Sequence, residues 1–186
     1  MLLRPALLQA QDLRPNFLFS DNMVLQRDRA VPIWGEAKPS SVVTVTIGDK
    51  KASATADAAG QWKVSMGPFA AGGPLEMKIS SGGENLAIKN ILIGDVWFCS
   101  GQSNMQWPVL KAKDGTKEVP AATFSNIRLL TIPIRSASKP KSNLEGISWA
   151  ECSPESVKDF SAVAYYFGRS LYQHNTVPVG LINSSW

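Results

Sequence analysis

Between Phe17 and Asp95 the chain is broken every few residues by turn chemistry: Lys38-Pro39-Ser40, Gly48-Asp49, Ala59-Gly60, Gly72-Gly73-Pro74 and Ser81-Gly82-Gly83. Clusters of Gly, Pro, Asp and Ser stop helices and long strands alike. The pieces left between them are short, and several alternate. Val43, Val45 and Ile47 fall on one face while Thr44 and Thr46 fall on the other, the period-two pattern of a half-buried strand. Val31–Gly35, Val42–Ile47, Lys51–Ala56, Gln61–Met66, Leu75–Ile79 and Leu86–Ile93 are the strands so predicted. Strands this evenly spaced, with no helical period among them, predict an antiparallel β-sandwich over residues 17–93.

The pattern changes after Gly94. Val96–Cys99 is apolar without alternation, as expected of a strand buried on both faces of an α/β sheet. Ile127–Ile132 and Val179–Asn183 predict further strands of that sheet. One helix is expected between them. Ser153 is its N-cap, Pro154 its first residue, and Glu155 sits at the positive end of its dipole. Phe160, Val163, Ala164, Phe167 and Leu171 form its apolar face, and Asn175 and Pro178 its stop. Leu110–Ser125 and Ser136–Gly146 read as polar loops. A helix feeding a buried strand is half of a crossover that normally sits in a larger sheet. Residues 94–186 are therefore expected to be the N-terminal part of an α/β domain, truncated after Asn183-Ser184-Ser185-Trp186 and poorly soluble at its open apolar edge.

Residues 1–16 remain as an N-terminal tail. Met1–Gln11 resembles the end of a signal peptide but is broken by Arg4 and Pro5, so a periplasmic or secreted protein is the expectation. No apolar run approaches the roughly 20 residues of a membrane-spanning helix. The net charge is +4. Lys111, Lys113, Lys117, Arg135, Lys139 and Lys141 are scattered among acidic residues in loop sequence, which reads as a solvated face and not a nucleic-acid site. Cys99 and Cys152 fit no zinc spacing, and the single histidine, His174, is far from both. No metal or other cofactor is expected. Export would permit a disulfide between the cysteines, but two separate buried thiols are the simpler reading.

The chemistry is expected at Gly101-Gln102-Ser103-Asn104-Met105. An apolar strand runs into a Gly-containing turn with one serine at its tip. A serine hydroxyl needs an adjacent base and oxyanion donors to act as a nucleophile, and a strand-end turn is where these can converge. The run is not the nucleophile elbow of the α/β-hydrolases, which needs Gly where Met105 stands. A serine that merely caps a helix fits the spacing equally well.

Gly94–Met105 closely resembles the serine block of the sialate O-acetylesterase family, within the SGNH hydrolase superfamily. Phe19–Arg27, Phe160–Arg169 and Pro178–Trp186 match that family in the same order. The resemblance implies a β-sandwich followed by a flavodoxin-like SGNH hydrolase domain, here incomplete. It implies a metal-free carboxylic ester hydrolase that removes acetyl groups from O-acetylated sugars such as sialic acid. Ser103 is then the nucleophile and its backbone N–H an oxyanion donor, with Gln102 and Asn104 as motif neighbours. In the family the Trp186 run leads into a Gly-Gly loop with another donor, and a late Asp-x-x-His supplies the base. This sequence contains neither, so the chain alone is expected to be idle.

His174 is no substitute on this reading. It falls near a helix C-terminus, where the dipole favours it without further purpose, and no acid is placed to orient it. Trp34 and Trp62 are expected in the sandwich core and Trp97 beneath the active turn. Trp107, Asn183, Ser184 and Trp186 are the candidates for a substrate rim. The competing reading is a glycan-binding or accessory module whose α/β part is non-catalytic.

Overall fold

The computed structural model describes residues 13–139, 141 and 143–186. The signal-peptide reading of Met1–Gln11 lies outside them. Among the described residues the fold is mixed α/β, rich in sheet and with few helices. No helix of these residues is long and apolar enough to cross a membrane.

Eleven strands are present among the described residues: β1 (Arg14–Pro15), β2 (Val24–Gln26), β3 (Val31–Glu36), β4 (Val42–Ile47), β5 (Lys50–Thr55), β6 (Gln61–Met66), β7 (Gly72–Ser81), β8 (Glu84–Gly101), β9 (Phe124–Thr131), β10 (Ala150–Cys152) and β11 (Val179–Ser185). The helices are α1 (Ser103–Gln106), α2 (Gly115–Ala121), α3 (Pro154–Val157) and α4 (Ala162–Asn175), with one tight helical turn at Val109–Lys111. β1, β3 and β6 make a small antiparallel sheet, and β5, β4, β7 and the first half of β8 make a second. Their inward residues share one core. Val43, Val45 and Ile47 of β4 are completely buried, as alternation required, and meet Ile33, Trp62, Val64 and Met77.

β8 is the spine. Glu84–Ile93 pairs antiparallel with β7, while Asp95–Gly101 pairs parallel with β11, which pairs parallel with β9. The expected boundary between Ile93 and Gly94 thus falls inside an unbroken strand. Gly94 is required there: a Cβ would lie 2.0 Å from the carbonyl oxygen of Pro178, where β11 is seated. A second core, formed by Ile127, Leu129, Val179, Leu181, Phe160 and Tyr165, fills the space between the parallel sheet and α4. Gly168 lets the helix approach, since a Cβ there would meet Leu181 at 2.6 Å.

Several expectations are corrected. Val96–Cys99 is not buried on both faces: Trp97 is 43% and Phe98 67% exposed. At that level, among the described residues, β8 has a strand partner on the β11 edge only. The single helix from Ser153 is two. Ser153 caps only α3, through a capping box with Ser156, and Ser161 caps α4 by accepting from Ala164 N. Phe160 lies between them, with its carbonyl taken by Val109 N at 3.0 Å. The buried face of α4 is Ala162, Ala164, Tyr165 and Gly168, whereas Val163 and Phe167 are exposed. The supposed loop 110–125 holds α2. Residues from Leu13 onward join the packed chain, with Leu13 buried and Arg14–Pro15 paired to β3. Cys99 and Cys152 are free, buried thiols; burial raises the pKa of both, that of Cys152 to about 11.

Candidate active site

The strand β8 ends at Gly101, and the chain turns at once into α1, whose first residue is Ser103. A Cβ at Gly101 would sit 3.0 Å from that of Met105, so the tight fold-back suits a glycine. Ser103 is exposed and stands in the first helical turn, where backbone N–H groups lack intrahelical partners. Gln106 N closes the turn on Gln102 O at 3.0 Å.

The motif Phe160–Arg169 is the seat of this turn. Fully buried Ser161 places its Oγ 3.3 Å from the Met105 sulfur, and Ala162 N donates to Trp107 O at 2.8 Å. From the other side, Trp186 N donates to Gly101 O at 3.0 Å. Ser103 is thus held between a packed helix start and the end of β11.

A cleft of about 510 Å³ opens beside Ser103, lined also by Gln106, Trp107, Lys111, Thr131, Asp159, Asn183 and Ser185 and by the segment Ile132–Ile134. It lies beyond the C-terminal ends of parallel strands β8, β9 and β11, where ligands bind in open α/β sheets. Of the sequence candidates, Ser103, Trp107 and Asn183 line it together. Ser184 and Trp186 line an adjoining cavity of about 350 Å³ with Ile132–Ser136 and Ser185. Gln102 and Asn104 line neither. Gln106, Lys111, Thr131, Asp159 and Ser185 were not anticipated. Lys111 and Asp159 were hidden because they come from a helical turn and an interhelical loop far apart in sequence. These are joined by main-chain bonds such as Leu110 N to Lys158 O at 3.0 Å and by packing of Val109 in the same core as Val157 and Phe160. Alternation along β11 could have found Ser185, which shares a face with Asn183.

His174 is exposed in the last turn of α4. The start of that helix contacts the serine turn, so at 1.5 Å per residue His174 lies about 18 Å further along the axis. Outside the cleft lining, Glu118 of α2 accepts from Tyr165 Oη at 2.8 Å and pairs with Arg169. Burial alone would raise the Glu118 pKa, but these hydrogen bonds outweigh it and the net shift is downward. Burial and the Glu118 contact both raise Tyr165. This cluster packs α4 on α2.

No family model matches the chain. The fold is that of a carbohydrate acetylesterase: the chain is similar to a crystal structure of such an enzyme from Xanthomonas citri, with a TM-score of 0.90 and 38% identity over 93% of this chain and 40% of that one. By sequence the chain is a homologue of the sialate O-acetylesterases. It is 34% identical to that of Homo sapiens over 186 residues and 33% identical to that of Rattus norvegicus over 188, in each case over 90% of this chain. It spans about a third of these relatives, 36% and 35% of their lengths.

Proposed function

We propose that this chain forms the serine-bearing part of a carbohydrate O-acetylesterase of the SGNH type, acting on O-acetylated sugars that include sialic acids. The observation that carries the reading is Ser103: exposed, in the first turn of a helix at a strand end, and open to a cleft, in a chain homologous to acetylesterases. Ser103 Oγ attacks the acetyl carbonyl and forms the Ser–O–C bond, while the carbonyl electron pair moves to oxygen. The Ser103 backbone N–H is one donor for that oxyanion. Collapse breaks the ester C–O bond, the sugar oxygen leaves with a proton, and water then hydrolyses the acetyl-serine. Trp107 offers an exposed ring at the cleft wall for a sugar face.

The proton from Ser103 needs an acceptor, and His174 is about 18 Å away along its helix. We therefore expect this chain alone to turn esters over feebly, since missing members of a catalytic unit cost on the order of 10⁴ in rate. The test is p-nitrophenyl acetate in stoichiometric excess. A p-nitrophenol burst of at most one equivalent, abolished by Ser103→Ala, supports the nucleophile. A protein that binds glycan but gives no Ser103-dependent acyl transfer, even when a general base such as imidazole is supplied, is the binding module instead. The proposed site of action is periplasmic or extracellular; a cytoplasmic fraction holding all of the protein would refute that.

A further inference from the structure

Asn183 and Ser185 alternate along β11 and share the face that carries Val179 and Leu181 into the second core. In register, Asn183 lies between Cys99 of β8 and Thr131 of β9, on the sheet row just under the serine turn. Asn183 is 5% exposed and Ser185 8%, yet both line the cleft. Polar side chains this deep are normally satisfied. Ser185 Oγ donates to Asn183 Oδ1 at 2.8 Å, which occupies the amide oxygen and turns the amide nitrogen the other way. No described residue accepts from Nδ2, and that atom is not among the sealed polar atoms of the described structure. Nδ2, with its N–H donors unspent, therefore opens toward the cleft, its direction fixed by the Ser185 bond to the amide oxygen.

We propose that Asn183 Nδ2 is a hydrogen-bond donor to an oxygen acceptor of the bound substrate, a sugar hydroxyl or the acetyl carbonyl, and that Ser185 is its positioning residue. The inference rests on the acyl-transfer reading of the cleft. The chemistry it selects is a neutral oxygen lone pair. An amide on a strand, locked by one internal hydrogen bond, loses little freedom when it binds. Lys111 and Asp159 bring their charges to the cleft wall, whereas Asn183 is nearly buried, where a neutral donor costs less to bury.

The experiment titrates the full chain with an O-acetylated methyl glucoside and follows proton–nitrogen correlation spectra. The Asn183 side-chain amide pair, identified by its loss in Asn183→Asp, should shift saturably. Asn183→Asp, which sets a carboxylate against the acceptor, should weaken binding by about tenfold or more, and Ser185→Ala by about threefold. Ser185→Thr keeps the hydroxyl and should restore binding to within about twofold. An unchanged backbone spectrum in each variant shows that the fold is intact. A saturable titration in which the Asn183 amide stays still, equal affinity for Asn183→Asp, or no binding at all overturns the assignment. Failure of the nucleophile test with the Asn183 shift intact sinks only the acyl-transfer reading.

Discussion

The region before Gly94 and the region after it use the same strand by opposite routes. Before Gly94, β8 pairs antiparallel with β7 and, at Leu92–Gly94, parallel with β2. Most of the core it faces comes from residues 13–93, with Leu130 and Trp149 added from later in the chain. After Gly94 it pairs with β11, more than 80 positions later, and its side chains on both faces remain partly open at Trp97 and Phe98. The first region is made mostly of contacts between neighbouring stretches of chain, and the second of distant ones. Between them stands Phe19–Arg27, which resembles an esterase block yet has no part in the cleft. Its Ser20 Oγ accepts from Trp149 N, Gln26 Oε1 accepts from Val96 N at 2.9 Å, and Arg27 grips Asp95 at 2.9 Å. The motif is the strap that fixes where β8 delivers the serine.

If the two regions form one cooperative body, the largest loss at their joint should come from Arg128. It is 3% exposed, and its guanidinium donates to Ser125 O, Asn22 O and Asn90 Oδ1 and pairs with Glu151 at 3.4 Å. Asn22 and Asn90 present those oxygens from left-handed backbone, φ 67° and 56°, which asparagine tolerates better than most residues. Arg128→Met keeps the length but strands these acceptors, and should cost about 3–5 kcal/mol. Urea unfolding followed at Trp62 and at Trp107 separately should then split into two transitions. Coincident curves in the variant would mean the joint lies elsewhere.

The next loss is confined to the second region and depends on pH. Glu118 has its pKa lowered in the folded chain, so its contribution is complete above the ordinary carboxylate value of about 4.3 and fades as pH falls through the folded value. Glu118→Gln should remove about 1–3 kcal/mol near neutral pH and flatten the acid limb of the stability curve. An unchanged acid limb would mean that Tyr165 and Arg169 hold α4 without the charge.

A smaller effect sharpens the link from fold to chemistry. Ser161→Ala removes the cap of α4 and the contact with Met105, and should cost about 1 kcal/mol. Because the same residue seats α1, the Ser103-dependent burst should slow by more than the loss of folded protein explains. A burst rate that tracks folded fraction alone would separate the cap from the site.

The contrast between the regions also explains what the sequence disclosed. Alternation at Val43, Val45 and Ile47, and turns at Gly48 and Gly82, express the antiparallel strands locally, within two or three residues. The position of Ser103 was legible because a glycine turn after an apolar strand is also a local signal. The exposure of Phe98, the restart of the helix at Ser161, and the meeting of Lys111, Asp159 and Asn183 around one cleft depend on pairings between residues far apart in the chain. No window of sequence contains them. Ser153 illustrates the limit: its capping signal was real, but it capped four residues and not the long helix.

The smallest predicted effect tests whether the first region is as complete as its burial implies. Trp62 is 2% exposed, and among the described residues no acceptor lies within reach of its Nε1. Truncating it to Ala should cost about 3–5 kcal/mol. Trp62→Phe removes two opposed terms at once. The smaller ring gives up packing against Gly35, where a Cβ would approach the indole to 2.9 Å, but it also removes a buried donor whose lack of a partner costs about 1–3 kcal/mol. The net change should fall within about 1 kcal/mol of zero by denaturant unfolding. A loss as large as that of the alanine variant would show that the indole N–H is bonded in the folded protein, and that this core, like the cleft beyond Gly94, depends on a polar contact that local pattern does not express.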